Sequence, residues 1–424
     1  MNLSTLDEWL DWITTTHSVE IELGLDRIKQ VAGRLGVLKP ECPLIVVAGT
    51  NGKGSTVAGL EAIYLAAGYR VGAFTSPILF KHNEQVRING QMARDADFCG
   101  AFLRVEAARG QVRLTAFEFF TLAAMLILKK HALDVWLLEV GLGGRLDAVN
   151  ILDATVSVVT SIGMDHVALL GETREQIAIE KAGVMRKGQY VVCGEVAAPS
   201  TLYACANQVG ARLVCVGKEF FYQQREGTWE FNALVPKKFK WVQLPLASLA
   251  IENMATVLMT VTLMQPSLPV MRAAIDQGLR QVSLPGRIQM VPLDVLEIYD
   301  VSHNPAAVQL LAQRLAALPC GGKTYAVFSM LADKDVKATI QAIHTEVDEW
   351  LVAPLGVKRG ASLEALREAF ECRGENNVTY LSGIKEAYSE AKARAKTGDR
   401  IVVFGSFHTM AMVWPHAEHE RNGC

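Results

Sequence analysis

A glycine-rich octet, Gly49-Thr50-Asn51-Gly52-Lys53-Gly54-Ser55-Thr56, follows the apolar run "LIVVA" and precedes a helical pattern. Glycines in that setting let backbone N–H groups turn inward onto phosphate oxygens, and the start of the helix adds partial positive charge. Lys53 has the reach for β- and γ-phosphates, and Ser55 or Thr56 supplies a hydroxyl. The spacing departs from the usual G-x-x-x-x-G-K-[ST]: the first glycine is nearer, and Gly54 stands where a metal-binding hydroxyl normally sits. Two further groups suit the same chemistry. Glu139 ends the apolar run "VWLLE", and Asp165 and His166 follow the run "ATVSVVTSIG". A carboxylate and an imidazole beside bound phosphate suit a divalent cation, although a histidine at a strand end more often serves structure. No asparagine is followed by lysine, so the base reader of a guanine-nucleotide switch is absent.

These residues need a scaffold that brings strand ends together. "LIVVAG", "VGAF", "LDVWLLEVG", "ATVSVVTSIG" and "GQYVVCGE" read as strands. Ser55–Ala67, "FEFFTLAAMLILKKHA" and "TREQIAIEKAGVM" read as the helices between them. Such alternation predicts a parallel sheet covered on both faces. Residues 218–245 are aromatic, turn-rich and alternating, and predict a small antiparallel excursion, with a helix over Leu246–Met264 after it. Pro285-Gly286 is a natural break. Beyond it "VLEIYDV", "TYAVFSM", "EWLVAPL", "NVTYL" and "RIVVFGS" alternate again with helical stretches. The expected architecture is α/β: a P-loop NTPase-like parallel-sheet domain over 1–284, then a smaller Rossmann-like domain over 288–424.

Composition narrows the function. The chain has 424 residues, 50% apolar and 20% charged, with net charge -2. No Lys/Arg block marks a nucleic-acid surface. The longest apolar stretch, "FFTLAAMLIL", falls short of the roughly 20 residues that span a bilayer. The eight cysteines form no C-x-x-C pair, and "MNLSTLDEWLDW" has acids where a signal peptide needs bases. The expectation is a reduced, cytoplasmic protein.

Ten co-linear motifs sharpen this: "VVAGTNGKGST", "TSP", "FEFFT", "LLEVGLGGRLDAVN", "SIGMDHVALLG", "EKAGVMR", "LPGR", "DVSHNP", "MLADKD" and "GSFHT". Together they resemble the folylpolyglutamate synthases of the Mur ligase superfamily, and most of all the bacterial bifunctional type that is also a dihydrofolate synthase. The resemblance implies ATP-driven amide formation through an acyl phosphate. The substrates would be dihydropteroate, reduced folates and L-glutamate, with two Mg2+ ions, and the enzyme a monomer.

Carried over by position, the resemblance places the triphosphate on Thr50, Asn51, Gly52, Lys53, Gly54 and Ser55. It adds Asn253, Arg287 and Asp300 as ATP contacts. It makes Ser76, Glu139 and His166 magnesium ligands, together with Lys181, which the family carbamylates; alone, Lys181 reads as a solvated helix lysine. Lys53, Lys181, His166, Asp300 and His303 are the implied catalytic residues. The pterin side falls on Glu22, Leu23, Gly24 and Leu25, on Thr115, Ala116, Phe117 and Glu118, and on Leu146, Asp147 and Ala148. His408 lies near the incoming glutamate. Phe117 and Phe119 fit a stacking surface and a core equally. One departure stands out: the family reads Ser-Pro-His-Leu where this chain has Ser76-Pro77-Ile78-Leu79, with His82 four places on. A cell-wall Mur ligase would need a domain for a nucleotide-sugar tail, for which little chain precedes the loop. A regulatory ATPase would not account for Arg287, Asp300 and His303. A synthase that only extends existing folates is the nearer alternative.

Overall fold

The structure, a computed structural model, describes residues 3–17, 22–292, 294–375 and 377–414. Cys424 and the end of the expected second domain lie outside them. The described chain divides into two compact units. One takes the residues up to Ile78, then His82–Gly163 and Leu170–Leu284; the other takes Leu79–Lys81, Met164–Leu169 and the chain from Pro285.

The first unit is built on β1 (Leu44–Ala48), β2 (Val71–Phe74), β3 (Val86–Ile88), β4 (Gln91–Met92), β5 (Val135–Glu139), β6 (Val156–Val159), β7 (Tyr190–Cys193) and β8 (Arg212–Cys215). Their order is β4-β3-β2-β5-β1-β6-β7-β8. Along that order every pair from β2 to β8 is parallel, while β3 and β4 add an antiparallel edge. Every residue of β1 is buried, as expected of a strand covered on both faces. Its side chains alternate accordingly. Ile45 and Val47 pack with the helices Lys53–Ala66 and Ile251–Met264. Val46 and Ala48 pack on the opposite face with the helix Ala116–Lys130. The chain leaves β1 for β2 on one side, and β6 lies on the other. The end of β1 is therefore a topological switch point, where open α/β sheets bind ligands.

The expected excursion is a three-stranded antiparallel sheet of β9 (Phe220–Gln224), β10 (Thr228–Ala233) and β11 (Phe239–Pro245). Trp229, Phe231 and Ala233 alternate inward along β10. The helix read from Leu246 begins only at Ile251; in the segment before it Ser248 Oγ donates to the Val282 carbonyl at 2.6 Å.

The second unit carries β12 (Gln289–Pro292), β13 (Leu296–Tyr299), β14 (Thr324–Phe328), β15 (Glu349–Val352), β16 (Val378–Tyr380) and β17 (Arg400–Phe404), in the order β12-β13-β17-β14-β15-β16. All its pairs are parallel except that of the edge strand β12. Ala326, Phe328, Val402 and Phe404 fill one face, and Tyr325, Val327, Ile401 and Val403 the other. Among the described residues no helix is long and apolar enough to cross a membrane.

Candidate active site

The octet forms the turn between β1 and the helix Lys53–Ala66. Gly52 caps that helix with φ +84° and no side-chain hydrogen bond. This left-handed conformation suits a residue without Cβ, and a Cβ there would also run into the Asn253 side chain. The exit of β6 holds the loop. Ser161 O accepts from Thr50 N at 2.9 Å, Ser161 Oγ accepts from Asn51 N at 2.9 Å, and Thr160 Oγ1 donates to Asn51 O at 2.6 Å. Thr50 Oγ1 donates to Gly163 O and accepts from Gly163 N. Lys53 Nζ donates to the carbonyls of Gly49 and Thr50, both at 3.1 Å. The ammonium is thus held at the mouth of a helix that has no side-chain cap. Ser55 is buried behind it.

The exit of β5 lies on the other side of β1, where Val47 pairs with Glu139. Glu139 is buried, and its Oε2 accepts from Ser76 N at 3.2 Å. A carboxylate and a hydroxyl-bearing turn are hard oxygen donors of the kind Mg2+ prefers. That ion keeps waters and takes only one or two carboxylates besides phosphate. Among the described residues no group of three His, Cys, Asp or Glu forms a metal cage. Arg87 braces the Ser76 turn: it donates to Glu61 at 2.8 Å and to Thr75 Oγ1 at 3.0 Å. Lys181 is 2% exposed, so the solvated-lysine reading is corrected. Its backbone packs so tightly on Gly144 that a Cβ at that glycine would come within 3.2 Å of Lys181 Cα.

The stretches assigned to the pterin lie in the same unit. Phe119 is fully buried among Trp12, His17 and Phe102, and is core. Phe117 is half-exposed, and its ring lies so close on Gly141 that a Cβ there would collide with it. Asp147 accepts from Leu142 N and Val149 N, both at 2.9 Å. Burial pushes its carboxyl up to about 6, against these hydrogen bonds and the charge of Lys53. Ala148 is buried, Leu146 and Leu25 half-buried, and Glu22 and Leu23 exposed. His82 stacks on Phe120 with ring centroids 5.3 Å apart, and so packs on the aromatic cluster around Phe102.

The second unit gathers a charged cluster. Asp165 accepts from Lys334 Nζ at 2.5 Å and from Asn304 Nδ2 at 3.2 Å, and His303 Nε2 stands 3.5 Å away. Burial alone would raise the Asp165 carboxyl; His303, Lys334 and His166 outweigh it and hold the group well below the usual range. His166 has φ +49°, a region that residues with a Cβ rarely adopt; Asp165 Oδ1 accepts its N–H at 2.8 Å. Burial pulls its imidazole below the usual histidine range against the attraction of Asp165, and the charge of Lys334, 3.3 Å from its Nε2, works in the same direction. The neutral ring this favours is the form that binds metals. Asp300 follows β13, buried, and accepts from Ile288 N at 2.7 Å and Ser302 N at 2.8 Å. Burial raises its carboxyl, with Ser302 and Arg287 opposing. Arg287 lies over the Phe407 ring at 5.3 Å, and His408 is exposed one residue further on.

Comparison with known proteins settles the family. A model of the Mur ligase glutamate ligase domain matches residues 286–407. The chain is 42% identical to the dihydrofolate synthase/folylpolyglutamate synthase of Escherichia coli K12, over 99% of its own length and 97% of the relative's. The chain belongs to the dihydrofolate synthase/folylpolyglutamate synthase family. Two solved members share its fold. Escherichia coli FolC in complex with DHPP and ADP superposes with a TM-score of 0.93 at 42% identity, covering 99% of both chains. A bifunctional folylpolyglutamate synthase/dihydrofolate synthase with Mn, AMPPNP and L-glutamate bound superposes with a TM-score of 0.91 at 43% identity, covering 98% of both. The Mur ligase fold of this family is the α/β arrangement described above.

The structure thus joins Thr50 to Ser55 with Asn253, Ser76 with Glu139, and Asp165 with His166 and His303. It also brings in residues to which the sequence reading assigns no individual role. Thr160 and Ser161 anchor the loop, Arg87 braces the Ser76 turn, and Lys334 reaches Asp165 from 169 positions away. The acid–lysine–acid run Asp333-Lys334-Asp335 is the available signal for Lys334. Lys334→Met should leave Asp165 as a buried carboxylate without its closest cation, a loss of about 3–5 kcal/mol when a buried pair is broken. Because the native carboxyl is held low, the deficit should be full at neutral pH and fade as pH falls below about 4. Denaturant titrations of both proteins across that range test it; equal stability at pH 7 contradicts the pairing.

Proposed function

We propose that the chain joins L-glutamate to dihydropteroate, giving dihydrofolate, and to reduced folyl-glutamates, lengthening their glutamate chains, with ATP cleaved to ADP and phosphate. The observation that carries this is the anchored phosphate loop at the switch point, in a chain similar over its full length to enzymes of that double activity. The carboxylate oxygen of the folate substrate attacks the γ-phosphorus and ADP leaves. The amine of glutamate attacks the acyl carbon, loses a proton, and phosphate departs. A carboxylate and a triphosphate repel, so the protein's work is positioning and neutralisation of charge.

In this reading Lys53 and the N–H groups of Thr50 to Ser55 hold the phosphates, and Asn253, Arg287 and Asp300 contact the nucleotide. Ser76, Glu139, His166 and a carbamylated Lys181 would hold two magnesium ions, which would supply Lewis-acid neutralisation of charge. His303 belongs with the catalytic set. Glu22 to Leu25, Thr115 to Glu118 and Leu146 to Ala148 receive the pterin and aminobenzoyl portions, and His408 lies toward the glutamate. The enzyme works as a cytoplasmic monomer, with no nucleic-acid or membrane partner.

Phosphate release measured with each substrate omitted in turn tests the ligase reading: it should need both a pteroate and glutamate, and release without them would indicate a plain ATPase. Phe117→Ala should weaken use of dihydropteroate more than folate extension. An aromatic contact is worth about 0.5–1.5 kcal/mol beyond burial, and the longer substrate must shift its ring outward to present its terminal carboxylate. Equal losses in the two reactions would indicate one shared ring position.

A further inference from the structure

We propose that Arg27 is the positioning residue for the pterin end of the substrate. It ties the loop Glu22–Leu25 to the first turn of the helix Ala116–Lys130 and fixes their spacing before substrate arrives. The inference rests on the reading of those two stretches as the dihydropteroate site.

Arg27 sits in the first turn of the helix Asp26–Leu35. Its Nε donates to Glu118 Oε2 at 3.0 Å and its Nη1 to Glu22 Oε1 at 2.7 Å. Nη2 donates to the Glu22 carbonyl. Glu22 therefore gives both its side chain and its backbone to one guanidinium. The planar fork of arginine suits such a two-sided grip, and a lysine would supply only a point charge. At the far end, Glu118 also caps its own helix. Its Oε2 accepts from Thr115 N at 2.7 Å while Thr115 Oγ1 accepts from Glu118 N, a reciprocal cap of the helix start. The cap sets where Ala116 and Phe117 begin, and the Phe117 ring rests on Gly141. The chain of contacts runs Glu22, Arg27, Glu118, Thr115, Phe117, and joins residues 91 positions apart through one side-chain pair.

The burial of the pair makes this more than a surface ion pair. The side chains of Glu118 and Arg27 are 5% and 19% exposed. Glu118 Oε1 is also buried and has no hydrogen-bond partner among the described residues. The carboxylate thus relies on Arg27 for its charge balance, and removing the partner of a buried charge is far more damaging than removing a surface pair. The phosphate loop is anchored elsewhere, on Thr160, Ser161 and Gly163. The clamp should therefore govern substrate binding and leave the handling of ATP alone.

Steady-state kinetics of Arg27→Met, Arg27→Lys, Glu118→Gln and the Arg27→Met/Glu118→Gln double variant test this. For Arg27→Met the KM for dihydropteroate should rise about 10- to 30-fold, the scale of a lost hydrogen bond to a charged group. Its kcat and KM for ATP should stay within about twofold, since those groups are not shared, and folate extension should suffer less. Arg27→Lys should recover part of the loss. The double variant should be no worse than Arg27→Met alone, because the two residues act as one clamp. An unchanged KM for dihydropteroate, a parallel rise in KM for ATP, or a double variant whose loss is the product of the single losses would each overturn the proposal. These outcomes are separable from failure of the functional reading, in which the unmodified enzyme makes no product from dihydropteroate at all. Should Arg27→Met not fold, Arg27→Lys and Glu118→Gln give the same comparison.

Discussion

Lys53→Ala should lower kcat by at least about 10²-fold, the scale of losing one preorganised donor at a developing charge. The side chain is in place to act. Its ammonium donates to the carbonyls of Gly49 and Thr50, so its position is set by the loop itself. The loop is fixed in turn by the exit of β6, through Thr160, Ser161 and Gly163. Removing the charge should leave this backbone intact, because those anchors do not pass through Lys53. The loss should therefore appear in turnover, with thermal unfolding little changed. Single-turnover measurement of ADP formation isolates the step. Turnover of Lys53→Ala near that of the unmodified enzyme would remove the phosphate-loop account.

Lys181→Ala should be inactive and regain activity with added short carboxylic acids such as acetate. The lysine is 2% exposed, so it does not project into solvent. In the proposed reading a carbamate on this lysine would be an anion able to hold a magnesium ion. Its surroundings support that use. Gly144 presses on the Lys181 backbone, and Gly144 belongs to the turn that leaves β5 just after Glu139. The glycines of "GLGG" thus allow the lysine's helix to approach the strand end that carries the acid. Rescue by a carboxylate would supply the missing anion without restoring the side chain. Full activity of the unmodified enzyme in CO₂-depleted buffer, with an unmodified ammonium in a nucleotide complex, would count decisively against the carbamate.

How much of this is legible in the sequence follows from how local each feature is. The loop can be read because glycines, lysine and hydroxyls sit within eight residues between an apolar run and a helix. Glu139 can be placed because a strand-end acid needs only the strand to be recognised. Lys334 cannot be assigned to Asp165, since that pairing depends on the fold of a distant segment and leaves no periodicity. The burial of Lys181 is masked by residue type rather than by spacing: in "TREQIAIEKAGVM" it stands four places after Ile177 and three after Ala178, on the helix face that is buried, but a lysine reads as solvated until its exposure is known. Phe117 and Phe119 are indistinguishable by type, two places apart on one helix. Packing separates them, since Phe119 enters the aromatic cluster around Phe102 while Phe117 turns to Gly141. The edge strands β3, β4 and β12 escape a sequence reading because short strands at a sheet edge carry too few apolar residues for a clear pattern.

The central claim is that one chain both makes dihydrofolate and extends folates. Mass spectrometry of the products from dihydropteroate, L-glutamate and Mg-ATP tests it directly, with a reduced folyl-monoglutamate in a parallel reaction. The account predicts dihydrofolate in the first reaction and a folyl-diglutamate or longer species in the second, each formed with one phosphate per glutamate added. No product from dihydropteroate, with normal extension of the reduced folate, would contradict it and leave a synthase of the monofunctional kind.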